Sequence, residues 1–158
     1  MLGTSESIAG TVYGTIVVMG AIVAGAKAGG DLWELDAIVA GTVVVLWFAH
    51  VYAHGLGESI QLRRRLDRAE FFSVSRRELA IALAAVGPVV ALSLGALEVV
   101  RPTRAVWLAL GIGLFTLAVQ GYRYARLEEL SRWGTLVSVA LNLGLGLAIV
   151  ALKVVVGH

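Results

Sequence analysis

The chain has 158 residues, of which 58% are hydrophobic and 15% charged, and its formal net charge is +2. So few charges exclude an ordinary soluble domain, whose surface must face water, and so small a net charge gives no argument for a nucleic-acid partner. The absence of cysteine excludes disulfides, thiolate metal sites and cysteine nucleophiles. We therefore predict an all-α integral membrane protein whose surface faces mostly lipid.

Five apolar stretches are long enough to cross a bilayer, since a spanning helix needs roughly 20 apolar residues. They predict a single transmembrane domain over 1–158 with about five helices. The charges in each break would cost about 2.5–3.5 kcal/mol apiece at the bilayer centre. The third and fourth stretches are joined by a turn around Pro102, so four spans with a re-entrant segment are the alternative. The predicted spans are 7–26, 36–57, 79–97, 105–125 and 134–156.

The distribution of basic residues predicts the orientation. Nine of the 13 Lys and Arg residues fall on the side that holds the N-terminus, the segment 58–78 and the loop 126–133, and four fall on the other side. The positive-inside rule then places the N-terminus in the cytosol and the C-terminus outside, in what we expect to be a prokaryotic plasma membrane. The nine residues are Arg63, Arg64, Arg65, Arg68, Arg76, Arg77, Arg123, Arg126 and Arg132.

The segment 58–78 is the only sizeable polar element of the sequence. Leu62, Leu66 and Ala69 recur at helical spacing, which predicts a short amphipathic cytosolic linker helix. Such a helix could lie at the membrane surface with its arginines on anionic lipid headgroups. The alternative is that the basic run is only a topology signal. The arginines predicted at the lipid surface are Arg63, Arg64, Arg65 and Arg68.

The strongest chemical pattern lies at the cytosolic end of the second span. His50, His54 and Glu58 are spaced i, i+4 and i+8, so they share one helical face. Imidazole and carboxylate suit a divalent metal ion such as iron, manganese or zinc, and they also suit proton relay near neutral pH. Ionisable groups inside a membrane usually face the bundle interior or a water-filled cavity, so we predict an ion or proton pathway here. The alternative is that both histidines lie near the interface and bond to headgroups, carbonyls or neighbouring helices.

Polar side chains on other spans fall at the same depth and extend the predicted pathway. Asn142, the only asparagine in the chain, either forms a helix–helix hydrogen bond or is part of that pathway. The tyrosines are also typical of an interfacial aromatic belt. The residues added to the pathway on these grounds are Glu6, Tyr13, Gln120 and Asn142.

Small residues and one proline predict how the helices pack. The patterns Gly10-x-x-x-Gly14, Gly25-x-x-x-Gly29 and Ala140-x-x-x-Gly144 let helix backbones approach closely. They indicate tight packing within the chain or a homo-oligomer, for which we favour a dimer. Gly87-Pro88 predicts a kink in the third span, because Pro88 removes one backbone hydrogen bond.

Five spans, a cytosolic N-terminus and a charged helical linker after the second span resemble the vacuolar iron transporter family. The segment from Ala40-Gly41 through His54-Gly55-Leu56-Gly57-Glu58-Ser59 is similar to that family's second span running into its linker. The resemblance implies a homodimer that exchanges a divalent metal for protons, with Glu6, His50, His54 and Glu58 as the positions to test. The linker here is short and holds six arginines, whereas the family's linker is long and rich in glutamate.

Together these features predict a small membrane transport protein, a transporter or channel for cations. A metal ion or proton would engage His50, His54 and Glu58 from the cytosolic side. The alternative is a non-transporting accessory subunit whose glycine faces and basic linker bind partner helices or anionic lipid. No nucleophile or catalytic motif accompanies the histidines, so we do not expect an enzyme.

Overall fold

The computed structural model describes the backbone of residues 5–27 and 31–156, and the side chains of 7–26, 31–152 and 154–155. Within these ranges the chain forms six α-helices and no strand, which confirms the all-α class. The helices are α1 (Ser5–Lys27), α2 (Leu32–Leu62), α3 (Arg68–Leu83), α4 (Val86–Ala96), α5 (Pro102–Leu127) and α6 (Arg132–Val156).

The helices of the described chain have the lengths and compositions of membrane spans. α1, α2, α5 and α6 each qualify alone, and α3 with α4 qualifies as a pair bent by 47°. The described chain therefore has four helices that could each cross a membrane, or five crossings if the bent pair also crosses. α2 has 31 residues and is about 46 Å long, which exceeds the hydrocarbon thickness of about 30 Å. Its ends must therefore extend beyond the hydrocarbon layer, or the helix must tilt.

The bend between α3 and α4 has its cause in Pro88. Proline has no N–H, so the carbonyl of Ala84, four residues earlier, loses its helical donor. The helix is interrupted at Ala84 and Ala85, and the regular pattern resumes where the Val89 N–H donates to the Ala85 carbonyl at 2.9 Å. The kink predicted from Gly87-Pro88 is present, one turn before the proline.

α2 and α3 form a helical hairpin joined by residues 63–67. α2 ends where Arg63 adopts a left-handed φ of 51°, and the Arg63 and Arg64 N–H groups donate to the last carbonyls of the helix. α3 begins with a capping box, in which the Asp67 carboxylate accepts from the Glu70 N–H and the Glu70 carboxylate accepts from the Asp67 N–H. The segment 58–78 thus contains the end of α2, this turn and the first part of α3.

α1 lies at the centre of the bundle and packs against α2, α3, α5 and α6. Its close approach to α3 depends on Gly14, where a Cβ atom would lie only 2.7 Å from the Ile81 carbonyl oxygen. The Gly10-x-x-x-Gly14 pattern therefore serves packing within the chain, whereas Gly144 has no atom within 4 Å of its Cβ position. The hydrophobic core around α1 includes Val18, Met19, Ile22, Leu35, Val39, Leu92, Leu110 and Leu117.

Candidate functional site

A cavity of about 320 Å³ lies between α1, α2 and α3, at the end of the bundle that holds the 63–67 turn. We call it the histidine cavity. The predicted face of α2 lines it, so the structure brings His50, His54 and Glu58 together around one space. Tyr13 reaches it from α1, and two charged side chains reach it from α3. The polar and charged residues of the lining are Tyr13, His50, His54, Glu58, Arg77 and Glu78.

Local packing holds the three walls of the cavity in place. The Trp47 Nε1–H of α2 donates to the Ser75 carbonyl of α3 at 3.3 Å, which fixes the hairpin one turn from His50. On the other wall, Gly10 and Gly14 let α1 approach α3. Tyr13, between these glycines in sequence, is thereby placed beside His50, with ring centroids 5.1 Å apart. The small residues of α1 therefore create the geometry of the site.

One ring nitrogen of His50 is hydrogen-bonded to the backbone of α2. Its Nδ1 lies 3.1 Å from the Leu46 carbonyl oxygen. A carbonyl oxygen only accepts, so Nδ1 must carry the hydrogen in this contact. Nε2 is then the atom that can bind or release a proton. The ring centroid of His54 is 6.1 Å away, one helical turn nearer the end of α2.

His54 pairs with a carboxylate of the neighbouring helix. Its Nδ1 lies 2.8 Å from Glu78 Oε1, and the Glu78 side chain is 16% exposed against 60% for His54. The pair thus joins an accessible imidazole to a largely buried carboxylate. Sequence reasoning missed Glu78, because it lies 24 residues from His54 and meets it only through the α2–α3 hairpin.

Glu58 is engaged by an arginine, which changes what the site can bind. Arg77 Nη2 donates to Glu58 Oε1, and both residues line the cavity. Among the described residues, no group of three or more His, Cys, Asp or Glu is arranged to hold a metal ion. The interpretation of His50, His54 and Glu58 as metal ligands therefore gains no support from the described residues.

Gln120 and Asn142, two further residues of the predicted pathway, do not line the histidine cavity. Gln120 is buried on α5 and its Oε1 accepts from Arg123 Nη1 at 3.2 Å. Asn142 Nδ2 donates to the Ser138 carbonyl within α6 at 3.0 Å. Ser138 in turn donates to the Gly121 carbonyl of α5 at 2.8 Å. Asn142 lies at the α5–α6 contact, where its Nδ2 is 3.1 Å from the position of a Cβ on Gly121, but its hydrogen bond is within α6. The side chain of Glu6 lies outside the described residues.

The arginines predicted at the lipid surface surround the 63–67 turn, and all four are exposed. Arg64 bonds to both carboxylate oxygens of Glu70, at 2.6 and 3.0 Å. Glu70 lies in the charged segment before the third apolar stretch. Its pKa is lowered, first by the hydrogen bonding from Arg64 and then by the hydrogen bond from the Asp67 backbone N–H. The hydrogen bonding to Glu70 in turn raises the pKa of Arg64. One of the four arginines is therefore engaged in holding the turn together.

The described helices have the lengths and compositions expected of a multi-pass membrane protein, and titratable side chains line a cavity at one end of the bundle. Comparison with models of protein families, with curated proteins and with solved structures finds no match for this chain. The resemblance to the vacuolar iron transporter family therefore stays a prediction from topology.

Proposed function

We propose that this chain is a small membrane transport protein for cations, and that the proton is the ion its site favours. The observation that carries the proposal is the histidine cavity, where Tyr13, His50, His54 and Glu78 surround one space. Imidazole exchanges protons near neutral pH, and a carboxylate can accept a hydrogen bond from it. Ionisable groups at membrane depth usually mark such a pathway.

The contacts suggest an order for the proton transfer. His54 is the more accessible imidazole and its Nδ1 is bonded to Glu78, so this pair would exchange protons with solvent. His50 is one turn deeper, beside the ring of Tyr13, and offers Nε2. Ring centroids 6.1 Å apart leave the imidazoles too distant for a direct bond at most orientations. The cavity volume of about 320 Å³ is several times the roughly 30 Å³ that a water molecule occupies in the liquid, so water can bridge them.

Two features favour protons over divalent metals as the transported ion. Glu58 is paired with Arg77, which removes the third ligand of the proposed metal set, and a metal needs several such ligands at once. A proton needs one acceptor atom at a time, which His50 or His54 can supply.

Proton flux in proteoliposomes that contain only this protein tests the proposal. The variant His50→Ala/His54→Ala should lose at least about tenfold in flux, because general acid–base groups contribute that much or more to proton transfer. The matched control is Tyr52→Ala, which changes an exposed ring on the same helix. Potassium, chloride, Fe²⁺, Mn²⁺ and Zn²⁺ should be screened in the same vesicles. Undiminished proton flux in the double variant would refute the proposal.

A second candidate function, an accessory subunit, draws on the exposure of α6. Only 11% of the residues in the apolar stretch of α6 are buried, against 44% in that of α5. Such a helix faces lipid, or it packs against another helix of a partner or a second copy. Because the chain has no cysteine, Leu141→Cys would report a second copy by disulfide cross-linking. Cross-linked dimers together with no flux for any ion would favour this function over transport.

A further inference from the structure

A second buried ionisable group lies near the other end of α2. Asp36 is only 7% exposed, and its Oδ2 accepts a hydrogen bond from Ser93 Oγ of α4 at 2.6 Å. Its Oδ1 is buried and has no hydrogen-bond partner among the described residues. A buried polar atom without a partner costs free energy, so its persistence calls for an explanation.

Among the described residues, the helices around Asp36 supply no buried opposite charge. The described part of α4 has no ionisable residue, and neither has α1 between Thr15 and Ala26. Leu35 and Leu92, the chain neighbours of Asp36 and Ser93, belong to the hydrophobic core. The charged residues described at this end of the bundle are all exposed, and they are Asp31, Glu34, Glu98, Arg101 and Arg104. A single hydroxyl donor is therefore the polar contact that the structure gives this carboxyl group.

A second cavity lies about one helical turn from the carboxyl group, and Leu35, the residue before Asp36, lines it. This far cavity, of about 620 Å³, is lined by residues that include Asp31, Leu32, Gly95 and Thr103. Leu32 is one helical turn before Asp36 on the same face of α2, and Gly95 is two residues after Ser93. Leu32 Cδ1 lies 2.8 Å from the position of a Cβ on Gly95, so the two helices touch at this level. Asp36 thus lies about one helical turn along α2 from the far cavity, on the side nearer the middle of the helix.

We propose that Asp36 is a proton-binding site that exchanges with the far cavity. The donor set selects the proton, because a carboxylate and one hydroxyl are too few ligands for a hard metal cation, which takes about six oxygens. A proton on Oδ1 needs no further ligand and removes the charge that burial would otherwise oppose. Asp36 and His50 are 14 residues apart on α2, a separation of about 21 Å. α2 therefore carries a proton-binding group in each half of the bundle, and the role of Asp36 in transport rests on the proposed function.

Infrared spectroscopy of the reconstituted protein tests the site without any measurement of flux. On raising the pH, the wild-type protein should lose a carboxylic-acid C=O band that Asp36→Asn lacks, because the amide keeps the acceptor for Ser93 but cannot take up a proton. In Ser93→Ala, which retains the carboxyl group, the same band should shift to higher frequency, because its hydrogen bond is removed. Identical pH-difference spectra for wild type and Asp36→Asn would overturn the site. So would a band that Ser93→Ala leaves in place.

Flux measurements then test the place of Asp36 in transport. Asp36→Asn should lower proton flux by at least about tenfold, while Glu34→Asn, an exposed carboxylate on the same helix, should leave it unchanged. Normal flux in Asp36→Asn, in vesicles where the histidine double variant is inactive, would overturn the role of Asp36 and leave the proposed function intact. Normal flux in the histidine double variant would refute the proposed function, while the infrared band would still decide whether Asp36 binds a proton.

Discussion

The histidine cavity and the α5–α6 contact hold polar residues that the sequence places at similar depth, yet the two regions differ in how those residues are bonded. Around the cavity, ionisable side chains of α2 pair with ionisable side chains of α3, as in His54–Glu78. At the α5–α6 contact, the Ser138 hydroxyl donates to the Gly121 carbonyl of α5, and the Asn142 amide donates to the Ser138 carbonyl within α6. Partners that titrate around an open space can pass a proton, whereas a side chain that fills a backbone acceptor stabilises helix packing. The type of partner therefore separates a candidate pathway from a packing contact.

The largest effect should come from Gly14→Ala, which disturbs the α1–α3 contact beside the histidine cavity. The added Cβ would meet the Ile81 carbonyl oxygen at 2.7 Å, so α1 must move away from α3. We expect a loss of about 1–3 kcal/mol in the free energy of unfolding and reduced proton flux, because Tyr13 moves with α1. Thermal unfolding in detergent measures the first quantity and vesicle flux the second.

Gly20→Ala is the matched control on the same helix, because nothing lies within 4 Å of its Cβ position. This variant should unfold at or slightly above the wild-type temperature, since alanine is the better helix former. Equal stability of the two variants would show that the α1–α3 contact is not close at Gly14.

The next largest effect should come from a change of Glu78, the carboxylate that pairs with His54 in the histidine cavity. Glu78→Gln keeps the shape of the side chain but removes the charge that His54 Nδ1 contacts at 2.8 Å. A hydrogen bond to a charged group contributes about 1.5–3 kcal/mol, so flux should fall on the order of tenfold and its dependence on pH should change. Glu70→Gln, an exposed carboxylate of α3 bonded to Arg64 outside the cavity, should leave flux unaltered. If both variants conduct alike, the His54–Glu78 pair is not part of the pathway.

The sequence predicts the helices far better than their partners. The first predicted span, 7–26, lies within α1 (Ser5–Lys27), and 105–125 lies within α5. Hydropathy succeeds here because each span is set by its own composition. The shared face of His50, His54 and Glu58 is equally local, since it follows from helical periodicity alone.

Contacts between helices were harder to predict, because they depend on where the chain turns. The helical spacing of Leu62, Leu66 and Ala69 continues across the 63–67 turn, where Arg63 ends one helix and Asp67 caps the next. The capping-box residues Asp67 and Glu70 were a signal for that turn, and a hairpin there would have directed Glu78 toward His54. Asp36 entered the prediction only as the first residue of the span 36–57, and no role was assigned to it. The orientation, the dimer and the transported ion stay predictions.

A smaller effect should follow from Ser138→Ala, which tests the α5–α6 side of the comparison. The variant removes the bond from Ser138 Oγ to the Gly121 carbonyl, and such bonds between membrane helices contribute about 0.6 kcal/mol on average. We expect a slightly lower unfolding temperature and unchanged proton flux. A strong loss of flux at normal stability would place the α5–α6 contact on the pathway after all.

The smallest effect should be the pH dependence of the α2–α3 turn, which lies outside the cavity. The hydrogen bond from Arg64, and then that from the Asp67 N–H, lowers the pKa of Glu70 from its ordinary value of 4.5. The unfolded chain therefore binds this proton more readily, so the stabilisation is present above about pH 4.5 and is lost as the pH falls through the lower, folded pKa. Glu70→Gln lacks it at every pH. Unfolding temperatures measured from about pH 7 down to about pH 3 should thus show a small wild-type advantage that disappears in acid. An advantage that persists in acid would mean that the turn depends on the shape of Glu70 rather than on its charge.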